Sequence, residues 1–329
     1  MLLKKEIVLL MLTALIMFSF GCDVPQQGVD EFDLLSEAGD TYYTSYTTPA
    51  NAVSPNISIT DLFAMINDGD DILLLDWRSA EDYAAGHIIG AENKAITDLD
   101  EIIPTLPTDT LIVNICYTGQ NASFATAAMN LVGQDEAYAG LEARNLLFGM
   151  CSVTTDATFI PKTDKWVTQI AEDEFELVQT PSTTDTVNEF PEISTGSTTV
   201  ADIIMANLDE ATNGWSISAA DVYAGGDEYF VVNYWPEAEY DDPGHIPGAY
   251  QFTPKMSLRS DEDLNLLPTD KPIVIYCYTG QTSAQVTAYL RLLGYEAYSL
   301  LYGVNGFAYG SMPGHKYAAP ENDYSSIIE

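Results

Sequence analysis

Residues 111–123 read LIVNICYTGQNAS and residues 272–284 read PIVIYCYTGQTSA, and the two stretches align without a gap. Each opens as a short apolar run of the length and composition expected of a buried strand. Each then sets a cysteine, Cys116 or Cys277, at the carboxyl end of that run. A helical pattern follows: Phe124, Ala127, Ala128 and Leu131 recur at helical spacing after Cys116, as do Val286, Tyr289, Leu290 and Leu293 after Cys277. Gly133 and Gly294 stop the two helices at the same distance past their cysteines. A strand, cysteine loop and helix have therefore been kept twice at fixed length.

The repeat extends outward from this unit. ILLLDWRSAEDY at 72–83 parallels YFVVNYWPEAEY at 229–240, a buried strand and then a polar helical turn, and GHIIGA at 86–91 parallels GHIPGA at 244–249. Short buried strands alternating with amphipathic helices predict an α/β fold of two similar domains, each a mainly parallel sheet flanked by helices. The cysteine loops then lie at the carboxyl ends of strands, where open α/β sheets hold their ligands. The expected boundaries are a signal over 1–22, a polar tether or arm over 23–56, a first domain over 57–179, a linker over 180–199 and a second domain over 200–329. The linker assignment rests on PSTTDTVNEFPEISTGSTT, a run rich in turn formers.

In Cys116-Tyr117-Thr118-Gly119-Gln120-Asn121-Ala122 and Cys277-Tyr278-Thr279-Gly280-Gln281-Thr282-Ser283, the cysteine opens a short loop that ends at a helix N-terminus. The unsatisfied amides of that terminus are expected to point at the sulfur, favour thiolate over thiol and cradle any anion formed there. The loop glycine permits the tight curl.

The DWR at 76–78, GHIIGA, GHIPGA, the two CYTGQ loops and GVNGF at 303–307 resemble the signatures of rhodanese-type sulfurtransferases over most of 57–151 and 216–310. The resemblance implies that Cys116 and Cys277 carry sulfane sulfur as a persulfide, from a thiosulfate, polysulfide or persulfide donor to a thiol acceptor. It also implies that the two loops bind substrate, that Asp76 and Arg78 form an ion pair supporting the first loop, and that no cofactor is needed. Asn233 and Trp235 replace that pair in the second domain, and LLFGMCSV at 146–153 stands where the first domain would have GVNGF. Neither loop contains a cation, which favours polysulfide or persulfide over thiosulfate as donor. A protein acceptor is left open, and a catalytically silent binding or sulfur-sensing module is the alternative reading.

Other chemistries fit less well. A cysteine phosphatase needs an Arg at the end of the loop, where Ala122 and Ser283 stand. His87 and His245 lie between glycines in repeated turns and are expected to make structural hydrogen bonds. No Cys or His falls two to four residues from another, so no metal is expected. Cys151 reads as a small buried hydrophobe, with a resolving thiol the sharper alternative.

The 329 residues hold 12 Lys and Arg against 49 Asp and Glu, a formal charge of -37 that opposes nucleic-acid binding. Such acidity suits high salt or reflects the habit of an exported proteome. Lys4 and Lys5, an apolar run from Ile7 to Phe20, then Gly21 and Cys22, have the layout of a secretory signal too short to span a bilayer. Ser19-Phe20-Gly21-Cys22 resembles a bacterial lipobox, which implies an extracytoplasmic protein whose only membrane contact is a lipid on Cys22. Three cysteines then remain, an odd number that argues against a disulfide framework.

Overall fold

The computed structural model describes residues 30–45, 54–156, 160–312 and 314–329, so Cys22 and the apolar N-terminal run lie outside the described residues. The first unit comprises β1 (Asn56–Ile57), α2 (Ile59–Asp68), β2 (Ile72–Asp76), α3 (Ala80–Ala85), β3 (Glu92–Asn93), α4 (Leu99–Ile102), β4 (Leu111–Ile115), α5 (Gln120–Val132) and β5 (Ala143–Leu146), preceded by a helix α1 (Glu31–Ser45). After α6 (Lys165–Gln169), the second unit comprises α7 (Val200–Thr212), β6 (Ser216–Ile217), α8 (Ala219–Gly225), β7 (Phe230–Asn233), α9 (Glu237–Asp241), β8 (Tyr250–Gln251), β9 (Ile273–Tyr276), α10 (Gln281–Leu292) and β10 (Ala297–Leu300). The sheets run β1-β5-β4-β2-β3 and β6-β10-β9-β7-β8, the same order twice. Every pairing within them is parallel. The fold is thus the expected α/β architecture, two five-stranded parallel sheets flanked by helices.

β4 and β9, the central strands, are buried almost throughout, which is why their sequences are continuous apolar runs rather than alternating ones. Each delivers its cysteine at the middle of its sheet. α5 and α10, the helices that follow the cysteines, pack against each other and join the two units. Both are buried nearly all round, with Phe124, Ala128, Tyr289 and Leu290 at or near zero exposure in one apolar cluster. α7 lies against both of them and contributes Ile203, Ile204 and Leu208 to the same cluster.

The segment expected to be a polar tether or arm holds the helix α1, which packs on α5 and α7. Its polar composition conceals an apolar face of Phe32, Leu35, Tyr42 and Tyr43, all buried. The Glu31 carboxylate accepts the backbone N–H groups of Thr195 and Gly196 at 2.8 and 2.7 Å, and Asp40 accepts the Ser260 N–H at 2.8 Å. Glu31 at its start therefore holds the linker and Asp40 the second unit, while its apolar face covers the shared core.

The trailing segment of each unit crosses to the other. Val178 and His245 exchange backbone hydrogen bonds at 2.8 Å each way, which ties the stretch before the linker to the second unit's GHIPGA turn. Likewise the His87 N–H donates to the Glu329 carbonyl at 3.0 Å and the Ile89 N–H to Ile327 at 2.8 Å, tying the C-terminal residues to the first unit's GHIIGA turn. Among the described residues no helix is long and apolar enough to cross a membrane.

Candidate active site

Each cysteine leaves its strand directly into a turn so short that the helix begins at Gln120 or Gln281. Gly119 and Gly280 make this possible with φ of 87° and 76°, the left-handed region. Only Tyr117 to Gly119 and Tyr278 to Gly280 are therefore loop. Gln120, Asn121 and Ala122, and Gln281, Thr282 and Ser283, form first helical turns. Cys116 Sγ accepts the N–H of Gly119 at 3.1 Å and of Ala122 at 3.4 Å, and Cys277 Sγ accepts the N–H of Ser283 at 3.3 Å. The amides meet the sulfur as expected of a helix N-terminus. The second site adds a hydroxyl: Ser283 Oγ lies 3.6 Å from Cys277 Sγ and 2.8 Å from Ser299 Oγ.

One expectation fails at the first site. Both cysteines are only 2% exposed, and burial pushes the Cys116 thiol above its ordinary value of 9.0 despite the amides of Ala122, Thr118 and Gly119. Removing water from a nascent thiolate outweighs two or three N–H contacts.

The supports of the two loops differ chemically. In the first unit Asp76 and Arg78, both without exposed side-chain surface, pair at 2.7 Å, and Arg78 Nη2 donates to the Gly86 carbonyl at 2.8 Å. The ion pair thus ties the end of β2 to the GHIIGA turn. In the second unit Asn233 Nδ2 donates to the Tyr276 hydroxyl at 2.7 Å, and that oxygen accepts the Ile246 N–H at 3.1 Å. A tyrosine one residue before Cys277 therefore makes the link to the GHIPGA turn, and Trp235 packs as a buried ring against Tyr276 and Tyr278. His87 and His245 each bond through Nδ1 to the carbonyl of Tyr83 or Tyr240 at 3.0 and 2.9 Å, and each stacks on that tyrosine's ring.

Several neighbours of the loops come from outside the repeated motifs. The phenol of Tyr117 donates to Asp82, which also pairs with Lys162. Lys162 and Lys165 hold their ammonium groups 5.1 and 4.4 Å from the centre of the Tyr117 ring. Burial opposes the Asp82 charge, yet Lys162, Tyr117 and Ser79 together hold that carboxyl at about 2. The loop itself lacks a cation, as the sequence says, but the segment after the first unit brings two beside it. At the second loop Tyr278 donates to Glu239 and lies tilted against His315, ring centres 4.5 Å apart. Trp166 closes the first loop from above, its Nε1 donating to the Thr118 carbonyl at 3.1 Å, and Tyr317 stacks on it at 5.3 Å.

Cys151 is the first unit's counterpart of Asn305. Its N–H donates to the Tyr117 carbonyl at 3.2 Å as that of Asn305 does to Tyr278 at 3.1 Å. It is fully buried beside Trp166 and Tyr317, and burial pushes its thiol up to about 11. Among the described residues no group of His, Cys, Asp and Glu side chains is arranged to hold a metal.

The family model of the rhodanese-like domain matches this chain twice, over residues 58–149 and 221–309. A tRNA sulfurtransferase of Desulfurococcus amylolyticus is 34% identical over 115 residues, which are 35% of this chain and 22% of that protein's length. Among solved structures, a thiosulfate sulfurtransferase from Pseudomonas aeruginosa is 15% identical, covers 87% of this chain and 49% of its own, and gives a TM-score of 0.29. A rhodanese-related protein from Thermoplasma volcanium is 28% identical over 27% of this chain and 85% of its own, with a TM-score of 0.24.

Proposed function

Because this chain belongs to the rhodanese-like domain family through both of its repeats, we propose that it transfers sulfane sulfur through a persulfide on Cys116, Cys277 or both. The observation that carries the reading is the helix N-terminus at each sulfur, with Gly119 and Ala122 amides on Cys116 and the Ser283 amide on Cys277. In the first step the cysteine loses its proton to solvent and its thiolate attacks the donor's sulfane sulfur. A new S–S bond forms, the donor's S–S bond breaks, and the donor leaves as a thiolate if it is a persulfide, as a polysulfide one sulfur shorter if it is polysulfide, or as sulfite if it is thiosulfate. In the second step an acceptor thiolate attacks the terminal sulfur and the cysteine leaves as thiolate. The amides stabilise the anionic persulfide between the steps. Tyr117, Thr118 and Gly119, with Asn121, and their counterparts Tyr278, Thr279, Gly280 and Thr282, border the donor.

Lys162 and Lys165 draw an anionic donor, whether polysulfide, persulfide or thiosulfate, to the first site in a chain that otherwise repels it. The proposed setting is extracytoplasmic, the chain held at the membrane by a lipid on Cys22. A second reading, a sulfur-sensing or binding module that does not turn over, is favoured by the enclosure of both sulfurs at 2% exposure. Steady-state transfer from polysulfide to glutathione separates the two. The catalytic reading predicts turnover that falls at least about tenfold in Cys116→Ser, Cys277→Ser or their combination. Turnover equal to that of the double variant rejects it.

A further inference from the structure

Gln120 and Gln281 are the first helical residues after the loop glycines, and their side chains are buried, at 3% and 1% exposure. A buried amide is costly unless it is bonded. Each finds its acceptor role in the opposite repeat: Gln281 Oε1 accepts the Phe148 N–H at 3.0 Å, and Gln120 Oε1 accepts the Tyr302 N–H at 2.8 Å. The partners are backbone amides, so chemistry fixes which end of each side chain faces them.

What receives these bonds lies directly beneath the cysteine loops. Phe148 and Tyr302 adopt φ of 63° and 62°, a left-handed conformation that is unfavourable for a non-glycine residue and persists where its surroundings hold it. Gly149 and Gly303 follow, so close to the loops that a Cβ at either would come within 2.3 Å of the Cys116 or Cys277 carbonyl oxygen. The next amides then bond the loops. Met150 donates to the Cys116 carbonyl at 2.9 Å and Cys151 to Tyr117 at 3.2 Å, while Val304 and Asn305 donate to Cys277 and Tyr278 at 3.1 Å each. A continuous path of backbone contacts runs from Gln281 through 148–151 to Cys116, and its mirror runs from Gln120 through 302–305 to Cys277. The same oxygens also lie against the opposite glycines: a Cβ on Gly119 would meet Gln281 Oε1 at 2.3 Å, and one on Gly280 would meet Gln120 Oε1 at 2.5 Å.

We infer that Gln120 and Gln281 are positioning residues that act in trans, each holding the cysteine loop of the other repeat in its working shape. The inference rests on the sulfur-transfer reading of Cys116 and Cys277 for its kinetic consequence, but not for its structural one. Sulfur uptake from polysulfide by the Cys116 peptide, resolved by mass spectrometry, is measured in the full chain carrying Cys277→Ser, with Gln281 intact or changed to Leu or Glu. Leucine removes the acceptor at nearly constant size, whereas glutamate keeps one. Gln281→Leu is expected to lower the maximal rate at Cys116 about tenfold with little change in half-saturation, and Gln281→Glu to restore it to within about threefold. Amide exchange of the 148–151 segment is expected to rise in Gln281→Leu and return in Gln281→Glu. An unchanged Cys116 rate in folded Gln281→Leu, or equal defects in the two variants, overturns the inference. Should Gln281→Leu fail to fold, Gln120→Leu read at Cys277 in a Cys116→Ser chain carries the same prediction and the same refutation. If neither Cys116 in the Cys277→Ser chain nor Cys277 in a Cys116→Ser chain takes up sulfur while the exchange pattern follows the acceptor, the sulfur-transfer reading fails and the cross-domain positioning stands.

Discussion

Cys116 combines two opposed influences, amides that favour an anion at its sulfur and a burial that penalises one, and burial prevails. The sign of the result is testable. Alkylation proceeds through the thiolate, so a raised thiol value keeps the reactive fraction small at neutral pH. The alkylation rate of the Cys116 peptide is expected to keep climbing as pH passes the ordinary value of 9.0. A plateau below about pH 8 contradicts this, because it would require a thiol more acidic than a free one. The placement of the cysteines and loop glycines at the strand ends was legible in the sequence because each is local, a residue type at fixed spacing inside a repeated motif. The identity of Tyr276 as the second unit's substitute for an ion pair was not. An apolar strand gives no sign that one of its tyrosines places a hydroxyl against a turn thirty residues earlier in the chain.

At the scale of elements, α1 shows how composition misleads when an apolar face is sparse. Its Asp, Ser, Thr and Tyr residues read as tether, yet Phe32, Leu35, Tyr42 and Tyr43 share one buried side. The spacing was available in the sequence; what it packs against, α5 and α7, was not. Gly39 records how tightly the helix is seated, since a Cβ there would lie 2.4 Å from the Tyr289 ring. Tyr289 is fully buried, so its ring has little room to yield. Gly39→Ala gains helix propensity but overpacks this contact, and a net loss of about 1–3 kcal/mol in denaturant unfolding is expected. A stabilised variant would mean that α1 sits loosely on α10. Lys162, Lys165 and Trp166 likewise escaped the sequence reading. They stand outside the repeat, in a segment with no pattern to tie it to Tyr117 and Thr118.

Across the whole molecule the two repeats are bound by exchange. α5 packs on α10, each trailing segment pairs with the other repeat's GH turn, and each loop glutamine bonds the other repeat. Repetition in the sequence announced two copies of a fold but not their reciprocity, because contacts between copies leave no periodic trace. The consequence is that neither cysteine loop is complete within its own repeat. Chemically the sites diverge, with lysines beside Tyr117 and a glutamate and histidine beside Tyr278. Intact-protein mass of the reduced chain after exposure to polysulfide tests most directly whether these sites carry sulfur. The account predicts a gain of one sulfur for each working cysteine, lost on Cys116→Ser, on Cys277→Ser or in equal parts on both, and removable by a thiol. A mass that does not change with either donor class, polysulfide or thiosulfate, would contradict sulfur transfer and leave a binding module.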